Sequence, residues 1–141
     1  MKKLAMICLL TCGCWLLAAP APGAEKLKEQ KVLKATVGSD GVQRVEILGG
    51  GYFFNPNHII VKVNLPVELI VRKESGVIPH NIVMKVPEAG INFDVTMAEK
   101  PTTIRFTPTK AGVYPFYCSK KLLFFESHRE KGMAGTLEVT E

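Results

Sequence analysis

From Tyr52 to the C-terminus, apolar and polar positions alternate in short runs broken by Gly, Pro and Asn, with no sustained helical period. That pattern is the mark of half-buried β-strands. His58-Ile-Ile-Val-Lys-Val63 and Val67-Glu-Leu-Ile-Val-Arg-Lys73 are rich in β-branched residues, with Asn64-Leu-Pro66 as the turn between them. In the next run, from His80 to Val86, alternation places His80, Ile82, Met84 and Val86 on one face. Pro101 to Thr107 points Ile104 and Phe106 inward, and Val113 to Cys118 puts Tyr114, Phe116 and Cys118 on one side. Gly135 to Glu141 closes the chain with Leu137 and Val139 buried. Upstream, a Gly38-Ser-Asp-Gly41 turn leads into a strand from Val42 to Leu48, and Gly49-Gly-Gly51 reads as a bend or bulge. Asn92 to Glu99 fits either a short strand or an irregular crossing. Short strands at regular spacing, with Gly and Pro turns, predict an all-β fold, an antiparallel β-sandwich.

The first two dozen residues do not belong to that pattern. Met1-Lys2-Lys3 is basic, Leu4 to Ala19 is apolar, and Pro20-Ala-Pro-Gly-Ala24 is rich in small residues. This is the layout of a secretory signal peptide, too short for a membrane span. The expectation is therefore a signal peptide over 1–24, cleaved after Ala24, with Ala21 as the alternative, and export to the periplasm or secretion. None of Cys8, Cys12 and Cys14 is preceded by a fitting lipobox. Glu25 to Lys34 is charged and reads as a helical turn or loose arm, giving an N-terminal arm over 25–41 and one domain over 42–141. A chain of 141 residues with 47% hydrophobic content supports a single core of that size.

Processing would change the charge and the cysteine count. Losing Lys2 and Lys3 lowers the formal net charge from +5 to +3, with 16 basic against 13 acidic residues. The remaining charge is dispersed, which excludes a case for nucleic-acid binding. Three of the four cysteines leave with the leader, so Cys118 stands alone in an exported chain. An unpaired thiol in an oxidising compartment is buried, cross-linked between chains, or held by a metal.

The neighbours of Cys118 favour the metal. Cys118, His128 and Met133 follow one another as C-x9-H-x4-M, and His80 opens an upstream strand. Strand ends and loops at one pole of a sandwich can converge on a common point. Two imidazoles, a thiolate and a weak thioether suit one copper ion in either oxidation state. Zinc shares the Cys and His preference but has little use for Met133. Carboxylates are missing from the set, which weakens calcium, magnesium and non-haem iron. His58 reads as a surface residue, and Met84 and Met97 as core.

The motifs Phe53-Phe54-Asn-Pro56, Pro79-His80-Asn81, Phe106 to Cys118 and Gly132-Met133-Ala-Gly135-Thr-Leu-Glu-Val resemble the cupredoxin family across most of the chain after Tyr52. That resemblance implies a Greek-key β-sandwich with copper near one pole. It implies His80, Cys118 and His128 as equatorial ligands and Met133 as the axial one. It also implies a supporting hydrogen bond between Asn81 and Ser119 that holds ligand geometry fixed. The C-x9-H gap is longer than the family's usual spacing. Position 122 is Leu rather than a second cysteine, which speaks against a dinuclear centre. Leu122-Leu-Phe-Phe125 inside the long gap is either local core or an exposed patch where a redox partner protein docks.

The function expected from this set is electron transfer by Cu(II)/Cu(I) cycling rather than catalysis, since no positioned base accompanies the donors. The alternatives are a copper carrier or sensor without redox turnover, and a red-copper-type protein with an open coordination position. A cysteine hydrolase would need an oxyanion hole that the sequence does not display.

Overall fold

The computed structural model describes residues 30–141, so the signal-peptide reading over 1–24 lies outside the described residues. Within that span the alternating runs form ten strands. They are β1 (Val32–Lys34), β2 (Gln43–Gly50), β3 (Phe53–Asn55), β4 (His58–Lys62), β5 (Val67–Lys73), β6 (His80–Val86), β7 (Ile91–Met97), β8 (Thr102–Phe106), β9 (Gly112–Tyr117) and β10 (Ala134–Thr140). A single 3-10 turn, Pro87–Ala89, links β6 to β7 and ends at Gly90 in the left-handed conformation. No helix among the described residues is long and apolar enough to cross a membrane.

The strands make two sheets, in the orders β1-β4-β10-β9-β6-β7 and β3-β2-β5-β8. Their inner faces supply the core, including Ile47, Ile59, Leu69, Ile82, Phe116 and Leu137, each 1% exposed or less. The sandwich is as expected, but the sheets are mixed rather than wholly antiparallel. Strands β2 and β5 run parallel, as do β4 and β10, and β1 and β4. The reason lies in the path of the chain. Between β2 and β5 it turns back as β3, crosses to the other sheet as β4, and crosses again, so β5 returns in the direction of β2. Turn residues report each reversal but not which sheet the next strand joins.

Two other segments differ from the local reading, and a third takes the strand form of its two alternatives. Val32–Lys34, within the charged stretch read as an arm, adds an edge strand beside β4. Gly49 and Gly50 remain in β2, paired with Phe54 and Phe53, and the bend falls at Gly51 and Tyr52. Ile91–Met97 is a full strand, antiparallel to β6 over its whole length.

At the pole away from the candidate site, fully buried Gln43 ties the two sheets together. Its Nε2 donates to the carbonyls of Lys62 and Leu65, and its Oε1 accepts from the Lys62 amide. Those bonds offset the cost of burying a side-chain amide.

Candidate metal centre

The opposite pole gathers what the sequence scatters. His80 begins β6, Cys118 follows the end of β9, and His128 lies in the loop leading to β10. Their side chains meet. His80 Nδ1 and His128 Nδ1 are 3.1 Å apart, and Cys118 Sγ lies 3.4 Å from His128 Nδ1 and 4.0 Å from His80 Nδ1. All three residues are buried, at 4%, 0% and 4% exposure for His80, Cys118 and His128.

This spacing can be compared with what an ion would need. Bonds of about 2.0 Å to nitrogen and about 2.3 Å to sulfur, spread about 120° apart, separate donors by roughly 3.5–3.7 Å. The three observed separations scatter about that value, so the donor set fits a single ion at its centre. The protonation state fits as well. Burial pushes both imidazoles below their ordinary pKa of 6.5; the neighbouring His128 and Lys73 add to the effect at His80, and Lys131 adds to it at His128. Neutral rings have lone pairs to offer, which is the form that binds metal.

The backbone around Met133 knits the loop donors together. The Cys118 amide donates to the Met133 carbonyl at 3.0 Å, and the Met133 amide donates to the His128 carbonyl at 2.8 Å. His128 itself is fixed by a second device. Ser127 and Glu130 form a reciprocal cap, with the Ser127 amide and hydroxyl donating to Glu130 Oε2 at 2.6 and 2.7 Å. Those bonds hold the Glu130 carboxyl below its usual range. The turn closes with the Lys131 amide on the Ser127 carbonyl and the Gly132 amide on the Arg129 carbonyl.

The long gap after Cys118 is accounted for by one hydrogen bond. The His128 amide donates to the Lys120 carbonyl at 2.9 Å, so residues 121–127 form an excursion pinched at its base. In space His128 follows closely on Ser119 and Lys120.

Met133 is fully buried, and its methyl lies 3.2 Å from where a Cβ on Gly49 would stand. Met97 crowds the same point, with its methyl at 2.8 Å and its sulfur at 3.1 Å. Gly49 is therefore a close-approach glycine, which a bend reading of the three glycines does not convey. Met97 pairs across the sheet with His80 and belongs to the core cluster, and Met84 is also fully buried there.

Asn81 and Ser119 are joined in both directions. Asn81 Nδ2 donates to Ser119 Oγ and the Ser119 amide donates to Asn81 Oδ1, each at 2.9 Å. Asn81 Nδ2 also donates to Asp94 Oδ1 at 2.7 Å, which brings β7 into the same anchor. The strand carrying His80 is thus bolted to the residue after Cys118.

Sequence reasoning missed Tyr52, whose φ of 64° puts it at the bend after β2. Its ring meets the His128 ring edge-on, with centroids 4.9 Å apart, and Lys131 Nζ sits 4.5 Å above it. The signal was present as an aromatic directly after three glycines, but nothing in the sequence connects position 52 with 128. His58 lies apart from this cluster, about one-fifth exposed, with Nε2 2.9 Å from Glu138 Oε2.

Leu122 to Phe125 are exposed rather than folded into the core, at 63%, 74%, 98% and 61%. A cavity of about 310 Å³ lies between this loop, Ile78, Pro79, Tyr52 and His128.

No protein-family model and no curated protein matches the chain. Solved structures do. The metal-binding domain of the Cu(I)-exporting P-type ATPase CopA from Streptococcus pneumoniae, solved with Cu(I), superposes with a TM-score of 0.62 at 20% identity, covering 81% of this chain and 100% of that one. Dithionite-reduced auracyanin from Roseiflexus castenholzii gives 0.56 at 20% identity, covering 76% and 99%. The periplasmic domain of cytochrome oxidase subunit II from Bradyrhizobium japonicum gives 0.53 at 14% identity, covering 70% and 83%. At these identities the likeness establishes the fold.

Proposed function

The chain has the cupredoxin fold, and from that premise we propose that it is an exported mononuclear copper protein that transfers electrons. The observation that carries the proposal is the convergence of His80 Nδ1, His128 Nδ1 and Cys118 Sγ within 4.0 Å of one another in a buried pole. Copper held there would supply a Cu(II)/Cu(I) couple. His80 and His128 would bind it through neutral imidazoles, Cys118 through its thiolate, and Met133 through a weak thioether.

The residues around the donors serve the same end. Asn81, Ser119 and Asp94 hold β6 against the loop after β9. The Ser127–Glu130 cap holds the turn that carries His128. A site whose ligands are fixed before the ion changes charge reorganises little, which favours electron transfer. Export is supported by the leader pattern of residues 1–24.

The test is optical. Copper-loaded, oxidised protein should show an intense visible thiolate-to-copper band and the matching EPR signal, both lost in Cys118→Ser. A colourless copper complex would overturn the reading. A copper carrier without redox turnover is the second reading, favoured by the cavity that opens beside His128 and offers a path for ligand exchange. Voltammetry separates the two, since a carrier would give slow, irreversible waves.

A further inference from the structure

We propose that the tip of the 121–127 excursion, together with Val77 and Ile78, is a lipid-contacting surface that seats this pole of the protein on an anionic bilayer. The inference does not depend on the metal. It begins with four contiguous large apolar side chains, Leu122 to Phe125, that share no internal core. The Phe125 amide donates to the Leu122 carbonyl, and Leu123 adopts a φ of 45°, so a tight turn splays the four side chains outward. Phe124 is 98% exposed, and Val77, which lines the same cavity from the neighbouring loop, is 99% exposed.

Side chains exposed to that degree stand clear of the surface instead of forming a flat face. A flat docking patch shields its members with one another and matches a partner of complementary shape. A projecting pair of loop tips matches a soft phase that closes around them, as at the boundary of headgroups and acyl chains. That geometry favours lipid over the redox partner protein that the sequence suggests for the same residues.

The charges agree. Lys120 and Lys121 directly precede the apolar tip, and Lys131 lines the same cavity behind it. Long lysine stems let the ammonium groups stay among anionic headgroups while Leu and Phe enter. Around the cavity itself Lys120, Lys121 and Lys131 face one acidic residue, Glu126. The exposed carboxylates of Glu130 and Glu99 are bonded to Ser127 and Ser75, and Glu74 borders Ile78 on its other side. The balance at the tip is basic. Contact made by a few side chains of one loop tip would be peripheral and reversible. It would bring His128, at the base of the cavity, to the membrane face.

The test is flotation with vesicles, using the protein in the form that an expressing cell exports, with variants prepared identically. Wild type should float with phosphatidylcholine vesicles containing phosphatidylglycerol and less with phosphatidylcholine alone. Leu123→Ser/Phe124→Ser should lower the partition coefficient at least about tenfold, given the apolar area withdrawn from lipid. Lys120→Gln/Lys121→Gln should erase the preference for phosphatidylglycerol and its sensitivity to salt. Both variants should keep the wild-type melting temperature, which confirms that only the surface has changed. Equal partition of wild type and the Leu123/Phe124 variant, or no partition of wild type, overturns the proposal. In that event, self-association or binding to a soluble redox protein that the same variant abolishes would assign the tip to a protein interface.

Discussion

The amide of His128 and the carbonyl of Lys120 are hydrogen-bonded at 2.9 Å, although seven residues separate them in sequence. The bond isolates the excursion from the donor loop. Replacing Leu122 to Phe125 with a two-residue Gly-Ser link should therefore leave the copper band in place. Surface changes of this kind usually alter stability by about 0.5 kcal/mol or less. Loss of the visible band in the shortened protein, measured at saturating copper, would show that the excursion supports His128 after all.

Asn81 and Ser119 provide a second measurable link. Asn81→Ala removes both halves of the reciprocal pair and leaves the Ser119 amide without its acceptor. The expected cost is about 1–3 kcal/mol in the apo protein, seen as a lower denaturation midpoint. Asn81→Asp keeps an acceptor for the Ser119 amide but removes the donor to Asp94, placing two carboxylates together. It should be destabilised at neutral pH and recover as the pH falls towards the carboxylate range.

Much of this architecture could be read from the residues. Strand positions followed from alternation because one face of each strand is buried, as in Val67–Lys73, where Val67, Leu69 and Val71 are all but inaccessible. His80, Cys118 and His128 were legible as candidate ligands by chemical type, and the structure brings their side chains together. Direction and sheet membership were not legible, because the parallel pairing of β2 with β5 depends on two sheet crossings that leave no local mark. Tyr52 and Asp94 were missed for a related reason. Each reaches the site through a strand or bend whose partner is far along the chain, and one residue type at one position carries no trace of that contact.

Gly49 tests the packing beneath the centre. A Cβ there would stand 2.8 Å from the Met97 methyl and 3.2 Å from the Met133 methyl. Gly49→Ala should cost about 1–3 kcal/mol through overpacking. Because Met133 is one of the crowded side chains, its thioether should also shift, changing the visible and EPR spectra of the copper form. Met97→Leu, which shortens the nearer side chain, should recover part of the loss. A double-mutant cycle read from denaturation midpoints would give a coupling of the order of 1 kcal/mol, and strict additivity would place the strain elsewhere.

The two imidazoles predict how the apo protein responds to acid. Both His80 and His128 have pKa values lowered from 6.5, chiefly by burial, so the unfolded chain binds protons that the folded chain refuses. Stability is therefore constant with respect to these groups above about pH 6.5 and falls as the pH drops below it. The decline levels off only once the folded-state pKa values are passed. For each proton taken up on unfolding the slope is at most about 1.4 kcal/mol per pH unit. Urea midpoints of the apo protein between pH 7.5 and 5 should trace this fall, and His80→Gln/His128→Gln should flatten it. Copper should oppose the fall, because an ion bound by both rings stabilises the folded state and excludes the protons. An apo protein whose midpoint is unchanged across that range would mean that the rings charge as readily folded as unfolded. Their burial at this pole would then not govern their protonation.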